Sequence, residues 1–161
     1  MNRLLFILIT IVSALSLSGC LLPENFVATI DVKKDGSHSM HYKGTMVDFL
    51  ALAAIQESKE RKLGGKLASK DEKMLKDAAE MYRKEPGVKE IKYLGEGRYE
   101  VEFNAKTPAG RALLFPSQYS PLISVVPQKD GTIKIFAKTA TPKEVDEAKR
   151  IGYRFDGTLR I

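Results

Sequence analysis

Catalysis needs nucleophiles, acids, bases or metal ligands at workable spacings, and this sequence is sparing with all of them. It contains two histidines, His38 and His41, and one cysteine, Cys20, so no intramolecular disulfide can form. An H-x-x-H pair makes a metal half-site on a helix. Here the surrounding residues alternate as in a strand, where positions three apart fall on opposite faces. Joint chelation is therefore not expected, and no H-E-x-x-H segment offers an alternative zinc site. Ser117, Ser120 and Ser124 lie near prolines, without the G-x-S-x-G elbow that exposes a nucleophilic serine. Glu96, Glu100 and Glu102 are the carboxylates best placed for acid–base work. Gly95-Glu96-Gly97, however, reads as a turn, and Glu100 and Glu102 alternate with Tyr99, Val101 and Phe103, the pattern of a sheet face left in water. Gly64-Gly65-Lys66 and Gly95-Glu96-Gly97-Arg98 are too short to cradle a phosphate. The sequence thus points to no catalytic residue, no metal and no cofactor.

Cys20 has a different context. After Asn2 and Arg3, residues Leu4 to Leu17 form a fourteen-residue apolar stretch interrupted only by Thr10, Ser13 and Ser16. That is short for a helix crossing about 30 Å of hydrocarbon, and it suits the core of an export signal. Leu17, Ser18, Gly19 and Cys20 follow as L-S-G-C, which resembles the lipobox of bacterial lipoproteins. The resemblance implies that Leu17, Ser18 and Gly19 are read by the signal peptidase and that the Cys20 sulfur is acylated. It implies further that Cys20 becomes the first residue of the mature protein. A thioether sulfur cannot act as a nucleophile, and two or three acyl chains give a stable anchor where one would be marginal. Leu21 follows the cysteine in place of Asp, which in Gram-negative lipoproteins implies sorting to the outer membrane. The partner expected first is therefore the membrane itself.

Of the 26 basic residues only Arg3 precedes Cys20, and none of the 20 acidic ones does, so the portion from Cys20 onward carries a formal charge of +5. Such a domain is drawn to anionic surfaces, and anionic envelope components or an envelope protein are the further partners expected. Lys59, Arg61, Lys62, Lys66 and Lys70 are interspersed with Glu57, Glu60, Asp71 and Glu72, which marks a solvated helix face. No interleaved aromatic pattern accompanies them, so nucleic acid is not an expected partner.

The elements that would position these residues are legible in outline. Residues 20–25 read as a tether reaching less than about 20 Å. From Phe26 a period of two begins, with Phe26, Ala28, Ile30 and Val32 on one face. Asp35-Gly36 then turns the chain into a return strand bearing Met40, Tyr42 and Met46. Asp48 caps a helix running from Phe49 toward Gly64-Gly65, and Ser69 to Glu72 fits a capping box opening a second. Val88 to Ala105 reads as a second hairpin, and residues 106–121 as a proline-rich loop carrying buried Leu113, Leu114 and Phe115. A third hairpin turns at Asp130-Gly131. Thr141-Pro142-Lys143-Glu144 opens the last helix, and Tyr153 to Ile161 suggests a final strand containing Asp156-Gly157. The alternation is still apolar at Ile161, which favours a truncated sequence over a closed end.

The expectation is a single α+β domain over residues 26–161, following a signal peptide at 1–19 and the lipidated tether at 20–25. Its antiparallel sheet would be built from hairpins, with about three helices packed on one face. Asp35-Gly36, Tyr42-Lys43-Gly44 and the run Gly95 to Val101 are similar to segments of a family of uncharacterised proteobacterial lipoproteins. That resemblance implies no enzymatic activity, and members of the family continue past the final Asp-Gly strand. The functional expectation is a membrane-anchored envelope lipoprotein with a non-catalytic binding or structural role. The alternative is an inhibitor or immunity lipoprotein directed against a wall-degrading or toxic enzyme.

Overall fold

Strand pairing begins at Leu21, five residues before the alternation in the sequence suggests. The structure, a computed structural model, describes residues 21–117, 121–154 and 156–161. Leu17, Ser18, Gly19 and Cys20 lie outside these residues, as do Ser120 and Phe155. The elements are β1 (Leu21–Val32), β2 (His38–Asp48), α1 (Phe49–Glu60), α2 (Ser69–Tyr82), β3 (Val88–Gly95), β4 (Arg98–Thr107), β5 (Leu113–Phe115), β6 (Ile123–Pro127), β7 (Ile133–Ala137), α3 (Pro142–Arg150) and β8 (Gly157–Arg160). The expected α+β class holds, with the strands divided between a five-stranded sheet ordered β3-β4-β2-β1-β8 and a three-stranded sheet ordered β5-β6-β7. Every pairing is antiparallel except β1 with β8.

Two expectations about the strands need correcting. Residues 21–25 are the first part of β1, hydrogen-bonded to β2, and not a free tether. Leu113 to Phe115 form β5 in place of loop. Leu113 and Phe115 are buried, because pairing with Val125 and Ile123 lets them close the core.

Alternation selects the buried face of the large sheet. Ala28, Ile30, Met40, Tyr42, Tyr99 and Phe103 all point inward and are almost wholly enclosed. The small sheet covers part of this face. Phe115 sits between Tyr42 and Phe103, with ring centroids 4.7 and 5.0 Å away, and Phe26 stacks on Tyr42 at 5.4 Å. Helix α2 lies against the same core through Leu75 and Ala79.

A bulge at Asn25 gives the domain a second apolar cluster. Glu24 pairs with Thr45, yet Phe26 pairs with Gly44, so one extra residue is inserted, with Asn25 at φ 46°. The inserted residue reverses which face the chain presents. Phe26, Ala28 and Ile30 therefore face the main core, while Leu22 and Glu24 join Val47 on the opposite face. There Val47 and Leu52 pack with Ala148 of α3 and with Tyr153, flanked by Leu22, Phe49 and Ile151. The chain after α3 is tied to the bulge. Glu24 receives hydrogen bonds from Arg98 Nε at 3.1 Å and from the Arg154 N–H at 3.0 Å. Tyr153 donates to the Pro23 carbonyl at 2.5 Å, and the Asn25 N–H donates to Asp156 Oδ1 at 2.8 Å. Asp156 thus leads directly into the edge strand β8, which starts at Gly157.

Candidate functional site

The structure separates most of the side chains with chemical potential. His38 is buried, with Nδ1 3.2 Å from the Gly36 carbonyl oxygen and Nε2 without a partner, whereas His41 is on the wet face, 3.9 Å from Glu102. The pair cannot share a ligand. Glu100 is exposed on β4 beside the half-exposed Glu102, and Glu96 occupies the β3–β4 turn at φ 52°. Lys59, Arg61, Lys62, Lys66 and Lys70 are exposed around the end of α1 and the start of α2, with Arg61 paired to Glu57 at 2.6 Å. Leu21 is buried and pairs with Asp48 across β2. Among the described residues no group of three or more His, Cys, Asp or Glu could hold a metal ion, and no helix is long and apolar enough to cross a membrane.

What the fold does assemble is a cleft of about 210 Å³ between α1 and α2. Leu50, Ala51 and Ala54 of α1 form one side, and Met74, Leu75 and Ala78 of α2 form the other. Three alanines at these positions leave the gap that larger side chains would fill. Tyr99, almost fully buried, lies at the base, with Tyr82 beside it at a ring separation of 6.1 Å and nearly perpendicular. Leu50 and Met74 are 64% and 46% exposed and so form the rim.

Two carboxylates belong to this lining, Asp48 and Asp71, and no basic residue does. Asp48 is the N-cap of α1: its Oδ1 accepts the Ala51 N–H at 3.0 Å, satisfying one of the donors left open at a helix start. It is 8% exposed and has no cation within 4 Å among the described residues. Burial raises the hydroxyl pKa of Tyr82 and of Tyr99, and the negative charge of Asp48 adds to both shifts. Tyr99 stays a donor, to the Leu75 carbonyl at 2.9 Å.

Beside the cleft, Glu72 clasps α2 to the β3–β4 turn. Its Oε2 receives the Tyr93 hydroxyl at 2.5 Å and its Oε1 the Glu96 N–H at 3.1 Å, while Tyr93 oxygen accepts the Gly97 N–H at 3.1 Å. Burial, and then the bond to Glu72, push the Tyr93 hydroxyl up to about 12. The capping box expected from Ser69 to Glu72 is therefore absent. The N-cap is Ala68, with no side-chain hydrogen bond, because Glu72 reaches away to the turn. By contrast Thr141 and Glu144 do form the reciprocal box at the start of α3.

The sequence identifies Asp48 as a cap but not as a wall of this cleft. The only hint of the cavity is the occurrence of alanines where α1 and α2 face each other. Comparisons with protein-family models, with curated proteins and with solved structures give no match to this chain.

Proposed function

We propose that this chain is a lipid-anchored, non-catalytic binding protein of the bacterial envelope, held by acyl chains on Cys20 at the periplasmic face of the outer membrane. The observation that carries the reading is the position of β1. One peptide bond separates the L-S-G-C cysteine from Leu21, which is buried and is the first residue of the paired strand β1. An anchored domain would therefore rest directly on the bilayer, with no linker to lift it away. The end of the sheet where β1 starts also carries exposed leucines. Leu50 follows Asp48, the partner of Leu21, and Leu94 adjoins the turn whose Gly97 carbonyl accepts the Asp48 N–H at 2.8 Å. Leucines at that end suit the interfacial layer, and the exposed lysines and Arg61 suit anionic headgroups.

Metabolic labelling with a clickable fatty acid tests the anchor. The wild-type chain is expected to take up label and to fractionate with outer membranes, and Cys20→Ala to do neither. Undiminished labelling of Cys20→Ala would overturn the reading.

A further inference from the structure

We propose that the α1–α2 cleft is a docking pocket for an arginine or lysine side chain presented by a partner protein, flanked on the partner by apolar residues. The inference does not depend on whether Cys20 carries lipid. It rests first on charge. In a chain with a formal net charge of +6, this cleft is lined by two carboxylates and no cation. Asp48 is more than nine-tenths buried; its Oδ1 accepts the Ala51 N–H, and among the described residues no donor reaches its other oxygen, which stays open to solvent. A buried carboxylate gains most from a cation that arrives with its own N–H groups.

The remainder of the lining selects what carries that cation. Below the rim the walls are alanine, leucine and tyrosine, which favour an apolar stem. Arginine and lysine have such stems of three or four methylenes. An ethanolamine headgroup does not fit, because its phosphate lies next to its ammonium and would meet Asp48 and Asp71 with no lining cation to balance it. The volume of about 210 Å³ is below the range of about 300–1,000 Å³ typical of small-molecule pockets, and it matches one side chain better than a whole metabolite. Finally, Met74 stands 46% exposed at the rim, where a small free amine would leave it in water and a protein surface would cover it. A charged anchor within an apolar collar is a common form of interface hot spot.

Fluorescence polarisation on the purified full chain in non-ionic detergent tests this, with empty micelles as the blank. The probes are labelled, capped hexapeptides with a central arginine between leucines, and their twins with citrulline, which keeps the shape and removes the charge. The arginine peptide is expected to bind at least about ten-fold more tightly than its twin. Asp48→Asn preserves the cap, since Asn and Asp cap equally well, and Asp71→Asn alters an exposed position. Each should remove most of the arginine preference while leaving the citrulline peptide unchanged. Ala54→Phe, which fills the gap, should abolish binding of both peptides with the circular dichroism spectrum intact. Equal affinity of the two peptides, or no binding of either, would overturn the proposal. So would insensitivity to both Asp variants, or displacement by cadaverine or ethanolamine phosphate at concentrations no higher than the competing arginine peptide requires.

Discussion

Asn25 decides which side of the sheet the first strand presents, and Phe26 shows how tightly that choice is enforced. A Cβ on Gly44 would lie 2.5 Å from Phe26 Cβ, 2.6 Å from its Cα and 2.7 Å from the Asn25 carbonyl oxygen. Two of these atoms are backbone within the bulge, so they cannot move without breaking the register. Gly44→Ala is therefore expected to cost about 3 kcal/mol, read as a lowered urea midpoint with an unchanged slope. The buried tyrosines set a second residue-scale expectation. Burial raises Tyr42 and Tyr99 far above the ordinary value of 10, and brings Tyr93 and Tyr153 to about 12. Above pH 10 the unfolded chain loses tyrosine protons that the folded one keeps, so the unfolded state gains. Stability contributed by these groups is complete below pH 10 and is lost as the pH rises through 12. In a Tyr119→Phe background, since Tyr119 lies outside the described residues, alkaline titration should show tyrosinate absorbance and loss of structure rising together above pH 10. Tyrosinate appearing near pH 10 while the fold stays intact would contradict the burial argument.

At the scale of elements, the link between α2 and the β3–β4 turn is one unit: Glu72, Tyr93 and two backbone N–H groups. Glu72→Gln and Tyr93→Phe should each cost about 1–2 kcal/mol, and the double variant less than their sum by about 1 kcal/mol, because both remove the same bond. Additive losses in a double-mutant cycle would show that the two residues act separately. This linkage also shows where the sequence stops being legible. The period of two, the Asp-Gly turns at 35–36 and 130–131 and the Thr141 box are local patterns, and each appears in the structure where the residues imply it. S-x-x-E at Ser69 is equally local, but Glu72 prefers a partner 21 residues away, which no short motif reveals. The same holds for β5, whose three residues look like loop until β6 is beside them, and for the bulge, whose inserted residue is defined only by the partner strand. The cleft was the least legible feature, since a cavity is what remains after elements distant in sequence have packed.

For the whole molecule, the proposed anchor and the strand geometry together fix an orientation that can be measured. β1 runs from Leu21 through twelve residues to Val32, so the β1–β2 turn lies about 36 Å along the strand from the end next to Cys20. The β3–β4 turn is joined to that proximal end through Asp48 and Gly97. On the proposed reading the Cys20 sulfur is consumed as a thioether, so an introduced cysteine is the only free thiol and can be labelled alone. Leu94→Cys and Lys34→Cys replace exposed side chains near the two ends. With a fluorophore on each and nitroxide-bearing lipids in the bilayer, the label at 94 is expected to be quenched strongly and the label at 34 weakly. A flexible Gly-Ser insertion of about ten residues between Cys20 and Leu21 should then erase the difference, because its r.m.s. reach of about 17 Å lifts and reorients the domain. Equal quenching of the two labels without the insertion would show that the domain does not rest on the bilayer by the end where β1 begins.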